Sequence, residues 1–198
     1  EGHVRSLDSP SIVHLATHGF FFDAAEPGAP AGLGLRSGFS PRGGAGPREG
    51  GPVNPLLRSG LLLAGAEAFV NDGARNPDGE DGILTAEDVA GLSLAGTRLV
   101  VLSACDTGRG EVRRGEGVLG LRRAFMMAGA QTVVSSLWKV DDEATQAAMA
   151  AFYREFLATG RAARSLTEVQ RRAIADLREE CGAAHPWSWA AFVADGRD

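Results

Sequence analysis

The sequence is poor in cysteine, in excess positive charge and in long apolar runs, and each shortage removes a class of protein. Two cysteines in 198 residues, Cys105 and Cys181, are too few for a disulfide framework or a cysteine-rich zinc site. They suit a reducing compartment, so a cytoplasmic location is expected. A net charge of -5 offers no basic surface for nucleic acid or an anionic membrane, and neither partner is expected. No stretch approaches the about 18 consecutive apolar residues of a membrane span. The greasiest segment, Leu56 to Val70, is interrupted by Arg58 and Glu67. Phosphate-binding and hydrolase signatures are missing too. Gly108-Arg-Gly110 and Gly115-Glu-Gly117 lack the Lys-Ser/Thr pair of a phosphate loop, and no Gly-x-Ser-x-Gly elbow occurs. No metal and no cofactor is expected.

What remains is an ordinary apolar content of 44% on a chain long enough for one α/β domain with a real core. Glu1 in place of an initiator methionine leads us to expect a single domain, residues 1–198, excised from a longer multidomain protein. Residues 24–52 stand apart, with nine Gly and five Pro in 29 positions. Such a segment buries too little to offset its ordering entropy, so a flexible surface insertion is expected there.

Elsewhere the periodicity is clear. Residues 11–22, Arg98 to Ala104 and Thr132 to Leu137 read as strands, with a short one over Gly60 to Ala64. Thr85-Ala-Glu-Asp88 has the form of a capping box opening a short helix. Gly117 to Ala128 reads as a helix, with Gly129 as its stop. Two more helices follow. One is capped by Asp141 or Asp142 and buries Met149, Phe152 and Phe156. The other carries Ala162, Leu166, Val169, Ala173 and Leu177 on one face. Trp187 to Val193 alternates large residues and reads as a last strand. Strands alternating with helices predict a mostly parallel sheet covered on both sides.

Two of the strands end on reactive side chains. Leu99-Val-Val-Leu-Ser-Ala-Cys105 and Ile12-Val-His-Leu-Ala-Thr-His18 are apolar runs, one ending on a nucleophile and the other on a base. Both residues would lie at the carboxyl edge of the sheet, where open α/β folds bind ligands. One Cys and one His so placed suggest a cysteine nucleophile with His18 as its base. Small neighbours around Cys105 leave room for a substrate backbone. His14, mid-strand, is expected to pack in the core. His185, before Pro186, marks a turn, and Asp106 reads as a local turn former. The cluster Arg109, Arg113, Arg114, Arg122 and Arg123 is interleaved with Glu111 and Glu116 and reads as a solvated face.

Several blocks then resemble one family. They are Leu15-Ala-Thr-His-Gly-Phe20, Asn54-Pro-Leu-Leu-Arg-Ser-Gly60, Asp81-Gly-Ile-Leu-Thr85, Leu102-Ser-Ala-Cys-Asp-Thr-Gly108, Gly115-Glu-Gly-Val-Leu-Gly-Leu121, Ala128-Gly-Ala-Gln131, Ser136-Leu-Trp-Lys-Val-Asp-Asp-Glu-Ala-Thr145 and Trp189-Ala-Ala-Phe192. Together, in this order, they resemble the CHAT domain, a bacterial branch of the caspase–separase superfamily of cysteine peptidases. The resemblance implies a caspase-like three-layer α/β/α sandwich with a mostly parallel central sheet. It implies a His18–Cys105 dyad and an oxyanion hole from the backbone N–H groups of Gly19 and Cys105. It implies an endopeptidase acting on a specific protein substrate, switched on by a regulatory domain or sensor module. In related peptidases the pocket for the residue before the scissile bond, P1, often lies after the Cys strand. Here that points to Ser135, Ser136, Asp141 and Asp142, the acids favouring Arg or Lys at P1. Asp141 and Asp142 equally suit a helix N-terminus. A catalytically silent interaction module and an amidase with the same dyad are the competing expectations.

Overall fold

Apolar, β-branched runs build the middle of the sheet. The computed structural model describes residues 1–21, 55–77, 79–103, 105–106, 116–138 and 142–197. The expected insertion at 24–52 lies outside them. Strands Leu99–Leu102 (β5) and Thr132–Ser136 (β7) pair in parallel and are buried along their whole lengths, as a strand covered on both faces must be. Ile12–Leu15 (β1) joins β5 in parallel, and Phe192–Gly196 (β8) closes on β7 antiparallel. The order is β1-β5-β7-β8. A second sheet, ordered β4-β3-β2-β6, is formed by His18–Phe21 (β2), Ser59–Leu62 (β3), Ile83–Thr85 (β4) and Cys105–Asp106 (β6). Its β2–β6 pairing is parallel and its other two are antiparallel. Pairing is therefore parallel at the centre and antiparallel toward both flanks.

Two chain stretches link the sheets. The single strand expected over 11–22 is two, β1 and β2, divided at Ala16 and Thr17. The cysteine strand divides in the same way into β5 and β6. Thr17 marks the division, since its hydroxyl donates to the Leu62 carbonyl and ties the chain to β3. Here the β1–β2 and β5–β6 stretches run side by side and pass together from one sheet into the next.

Helices cover both faces. Among the described residues they are Gly2–Arg5 (α1), Ala66–Asp72 (α2), Ala86–Ala90 (α3), Glu116–Met127 (α4), Asp142–Thr159 (α5) and Ala162–Cys181 (α6). Side-chain alternation along the strands sorts the core into layers. Val100, Leu102 and Val133 pack with Val89, Leu121 and Phe125, on the side of α3 and α4. Leu99, Val101 and Val134 pack with Met149, Phe152, Phe156, Leu166 and Val169, on the side of α5 and α6. This is a three-layer α/β/α sandwich. A small third cluster, Phe20, Ala66 and Ile83, seats α2 on the second sheet.

Local signals are realised where they are strong. Thr85 caps α3 reciprocally: its Oγ1 accepts from the Asp88 N–H at 3.1 Å, and its own N–H donates to the Asp88 carboxylate at 3.0 Å. Gly129 ends α4 with φ of 108°, and a Cβ there would come within 2.8 Å of the Ala95 nitrogen. The last strand departs from expectation. It begins at Phe192, because Pro186–Ser188 turn as a short 3-10 helix capped by His185, whose ring nitrogen accepts from the Trp187 N–H at 3.3 Å. The alternation of Trp187 and Trp189 belongs to that turn, and Trp187 stacks on Trp138 with ring centroids 5.3 Å apart.

Candidate active site

His18 and Cys105, 87 positions apart in the chain, are direct register partners across the parallel β2–β6 ladder. Neighbouring strands lie about 4.8 Å apart, and residues in register share one face of a sheet. Each residue opens its strand immediately after the division between sheets, rather than ending a longer strand as the sequence suggested. His18 is exposed to solvent. The next pair in register is Gly19 with Asp106, so Asp106 belongs to a strand and not to the local turn expected of it. On its other side Gly19 is in register with Leu61 of β3.

The residues expected to line a substrate pocket fall differently. Ser135 and Ser136 are buried in β7 with ladder partners in β5 and β8. The Ser135 Oγ is enclosed and has no hydrogen-bond partner among the described residues. Asp142 is the first residue of α5. Asp141 lies outside the described residues. Of the arginine cluster, Arg122 is not a solvated side chain: it is largely buried and pairs with Asp195 of β8 at 2.5 Å. Arg109, Arg113 and Arg114 lie outside the described residues.

His14 does not pack in the core. It remains open to solvent on β1, and its Nε2 lies 3.2 Å from the Ser103 Oγ at the end of β5. The Tyr153 ring of α5 stands 5.7 Å away, tilted at 37°. Protein packed around one side of the imidazole desolvates it and lowers its pKa, and the same effect raises that of Tyr153. Sequence reading took Ser103 only as a small neighbour of Cys105 and passed over Tyr153. The signal available was the doubling of polar residues at the strand ends: His14 and His18 on one, Ser103 and Cys105 on the other. Among the described residues, no group of three or more His, Cys, Asp or Glu side chains could hold a metal ion. None of their helices is long and apolar enough to cross a membrane.

This arrangement, a three-layer sandwich with a histidine and a cysteine in register where paired strands cross between sheets, agrees with a match of the CHAT domain family model to residues 2–197. The chain belongs to the CHAT domain family. That family is related to the caspase-like peptidases, and the mixed α/β fold of this CHAT domain is of the caspase-like kind. The domain is also similar to tetratricopeptide repeat protein 28 of Mus musculus, with 37% identity over 116 residues. The protein of that name in Homo sapiens matches equally, at 37% over 116 residues. The match takes in 59% of this chain but 4% of the length of each relative. Their name refers to a tetratricopeptide repeat and to no reaction, and similarity to this CHAT domain extends to mammals.

Proposed function

We propose that this CHAT domain is a cysteine endopeptidase. The observation that supports the reading best is the register of His18 with Cys105. An unperturbed thiol titrates near 8.5, so a neutral solution holds little thiolate unless a base takes the proton. His18 is that base. The Cys105 sulfur attacks the scissile carbonyl, whose π electrons move onto oxygen. The backbone N–H groups of Gly19 and Cys105 stabilise that oxyanion. As the carbonyl re-forms, the C–N bond breaks and the imidazolium protonates the departing amine. The resulting thioester is hydrolysed by water that gives its proton to His18.

The substrate in this reading is a protein partner in the cytoplasm, and a regulatory domain or ligand controls access. Asp141 or Asp142 would favour Arg or Lys at P1 by charge pairing. The test is covalent labelling with peptide acyloxymethyl ketones bearing Arg, Lys, Leu or Asp at P1, read by intact mass and peptide mapping. We expect single-site labelling at Cys105, absent in Cys105→Ala and strongly slowed in His18→Ala. A folded protein that stays unlabelled at Cys105, alone and within its full-length chain, overturns the reading. It would favour a second one, an interaction module without turnover. The kinship with proteins named for a tetratricopeptide repeat, an architecture built for binding, supports that alternative.

A further inference from the structure

The two strands that carry His18 and Cys105 keep one register through the division between sheets. The offset that pairs Ile12 with Leu99 and Leu15 with Leu102 is the same offset that pairs His18 with Cys105. Nothing in a broken strand guarantees this. The paired residues end at Leu15 with Leu102 and resume at His18 with Cys105, and a slip of one residue in between would turn one of the two partners to the opposite face. Something at the division must therefore hold the strands in step.

Three contacts lie there. The Ser103 N–H donates to the Leu15 carbonyl at 3.1 Å and extends the β1–β5 ladder by one bond. The Thr17 hydroxyl ties the histidine strand to Leu62 of β3, on the side away from β6. The remaining contact, from His14 Nε2 to Ser103 Oγ, is a side-chain bond between the His18 strand and the Cys105 strand. His14 stands opposite Val101, so this bond crosses the ladder diagonally to a residue two positions further on. A long polar side chain covers that span and a short one does not. The Tyr153 ring beside the imidazole limits the directions it can take. Ser103 in turn stands two residues before Cys105.

We propose that His14 is a positioning residue: by bonding to Ser103 it locks the strand of His18 against the strand of Cys105 where both leave the first sheet. The inference rests on the dyad reading for its functional consequence, but the lock itself is a property of the strands. His14 touches neither substrate nor thiol in this role. Its lowered pKa is consistent with a neutral imidazole that shares one proton with the hydroxyl.

The test combines labelling kinetics with hydrogen–deuterium exchange on the full chain, comparing wild type with His14→Ala, His14→Gln and Ser103→Ala. For labelling of Cys105 by an acyloxymethyl ketone, we expect His14→Ala to lower the maximal rate about tenfold while leaving the half-saturating reagent concentration within twofold. Ser103→Ala should match it, and His14→Gln should recover most of the rate. Exchange should rise in peptides spanning 12–21 and 99–106 and stay unchanged in β3, β4 and α6. An unchanged maximal rate in His14→Ala overturns the proposal. So does a fall accompanied by faster exchange throughout the fold, or a failure of Gln to restore the rate in a folded protein. If wild type does not label at all, the dyad reading fails separately. Local exchange in His14→Ala then decides the lock alone: faster exchange confined to those strands upholds it, and none overturns it.

Discussion

The β1-β5-β7-β8 sheet and the β4-β3-β2-β6 sheet are joined by two chain stretches, β1–β2 and β5–β6, but are built to different standards. In the first, Val100, Val101, Val133 and Val134 are fully enclosed between two layers of helices. In the second, β6 is two residues long, His18 is exposed, and the cluster under α2 holds three buried residues. The first sheet is the anchor and the second is a short extension from it. The proposed dyad needs solvent and room for substrate, which a sealed sheet cannot provide. It also needs fixed geometry, which a two-residue strand cannot provide alone. Carrying the anchor's register onward into the extension meets both needs.

Exchanging the qualities of the two regions tests this division. The largest effect belongs to the extension: His18→Ala should lower the rate of Cys105 labelling by at least 100-fold, yet leave the thermal midpoint almost unmoved, because the side chain is exposed. A scanning calorimetry trace showing a large loss of stability would mean that His18 is part of the anchor. The converse holds for Phe152, fully buried beneath β5 and β7. Phe152→Ala should cost about 3–5 kcal/mol in denaturant unfolding, from lost burial and the cavity left behind. A cost under 1 kcal/mol would show that the α5 layer does not seal the sheet.

Smaller effects sharpen the boundary around α3. Burial works against the Asp88 carboxylate, but hydrogen bonds from Arg5 and Thr85 outweigh it and hold its pKa below the usual range. A lowered folded pKa means stability that is complete above the unfolded value, near 3.9, and lost as pH falls through the folded value. Asp88→Asn should therefore cost about 1–2 kcal/mol at neutral pH, after allowance for its partial exposure, and nothing once the pH is below both values. Unfolding midpoints measured from pH 7 down to pH 2 give the two curves, and curves that stay parallel would refute the assignment. Thr85→Ala removes both the capping bond from the Asp88 N–H and the hydroxyl's bond to the Asp88 carboxylate, and should cost about 1–2 kcal/mol. The smallest change is expected on α6, where Arg172 also reaches Glu155 of α5. There the Arg171 and Arg172 guanidinium groups hold Glu168 down to about 2, but the cluster is open to solvent. Glu168→Gln should leave the midpoint within experimental error, and a shift of several degrees would show a structural ion pair instead.

Much of this was legible in the residues themselves. The strands β5 and β7, the helices α4 to α6, the Thr85 cap and the Gly129 stop each depend on neighbours a few positions away, so periodicity and turn chemistry reveal them. The readings that changed all involve distant partners. His14 looked like a core residue because it sits among Ile12, Val13 and Leu15. Its actual partner, Ser103, is 89 positions away. Arg122 looked solvated, and Asp195 claims it from 73 positions away. Trp187 fitted a strand pattern until Pro186 and the Trp138 ring drew it into a turn.

By itself, the sequence determined the layers. Apolar runs that must be buried on both faces require a covered parallel sheet, and helices with one apolar face supply the cover. It also nominated the two residues whose chemistry suits an acyl-transfer site. Which residues meet is another matter, since that depends on strand order, register and the place where paired strands change sheets. Those are non-local choices, selected by the fit of whole layers rather than by any short segment. Only the tertiary structure set His18 beside Cys105, moved His14 out of the core, and gave Ser103 a partner.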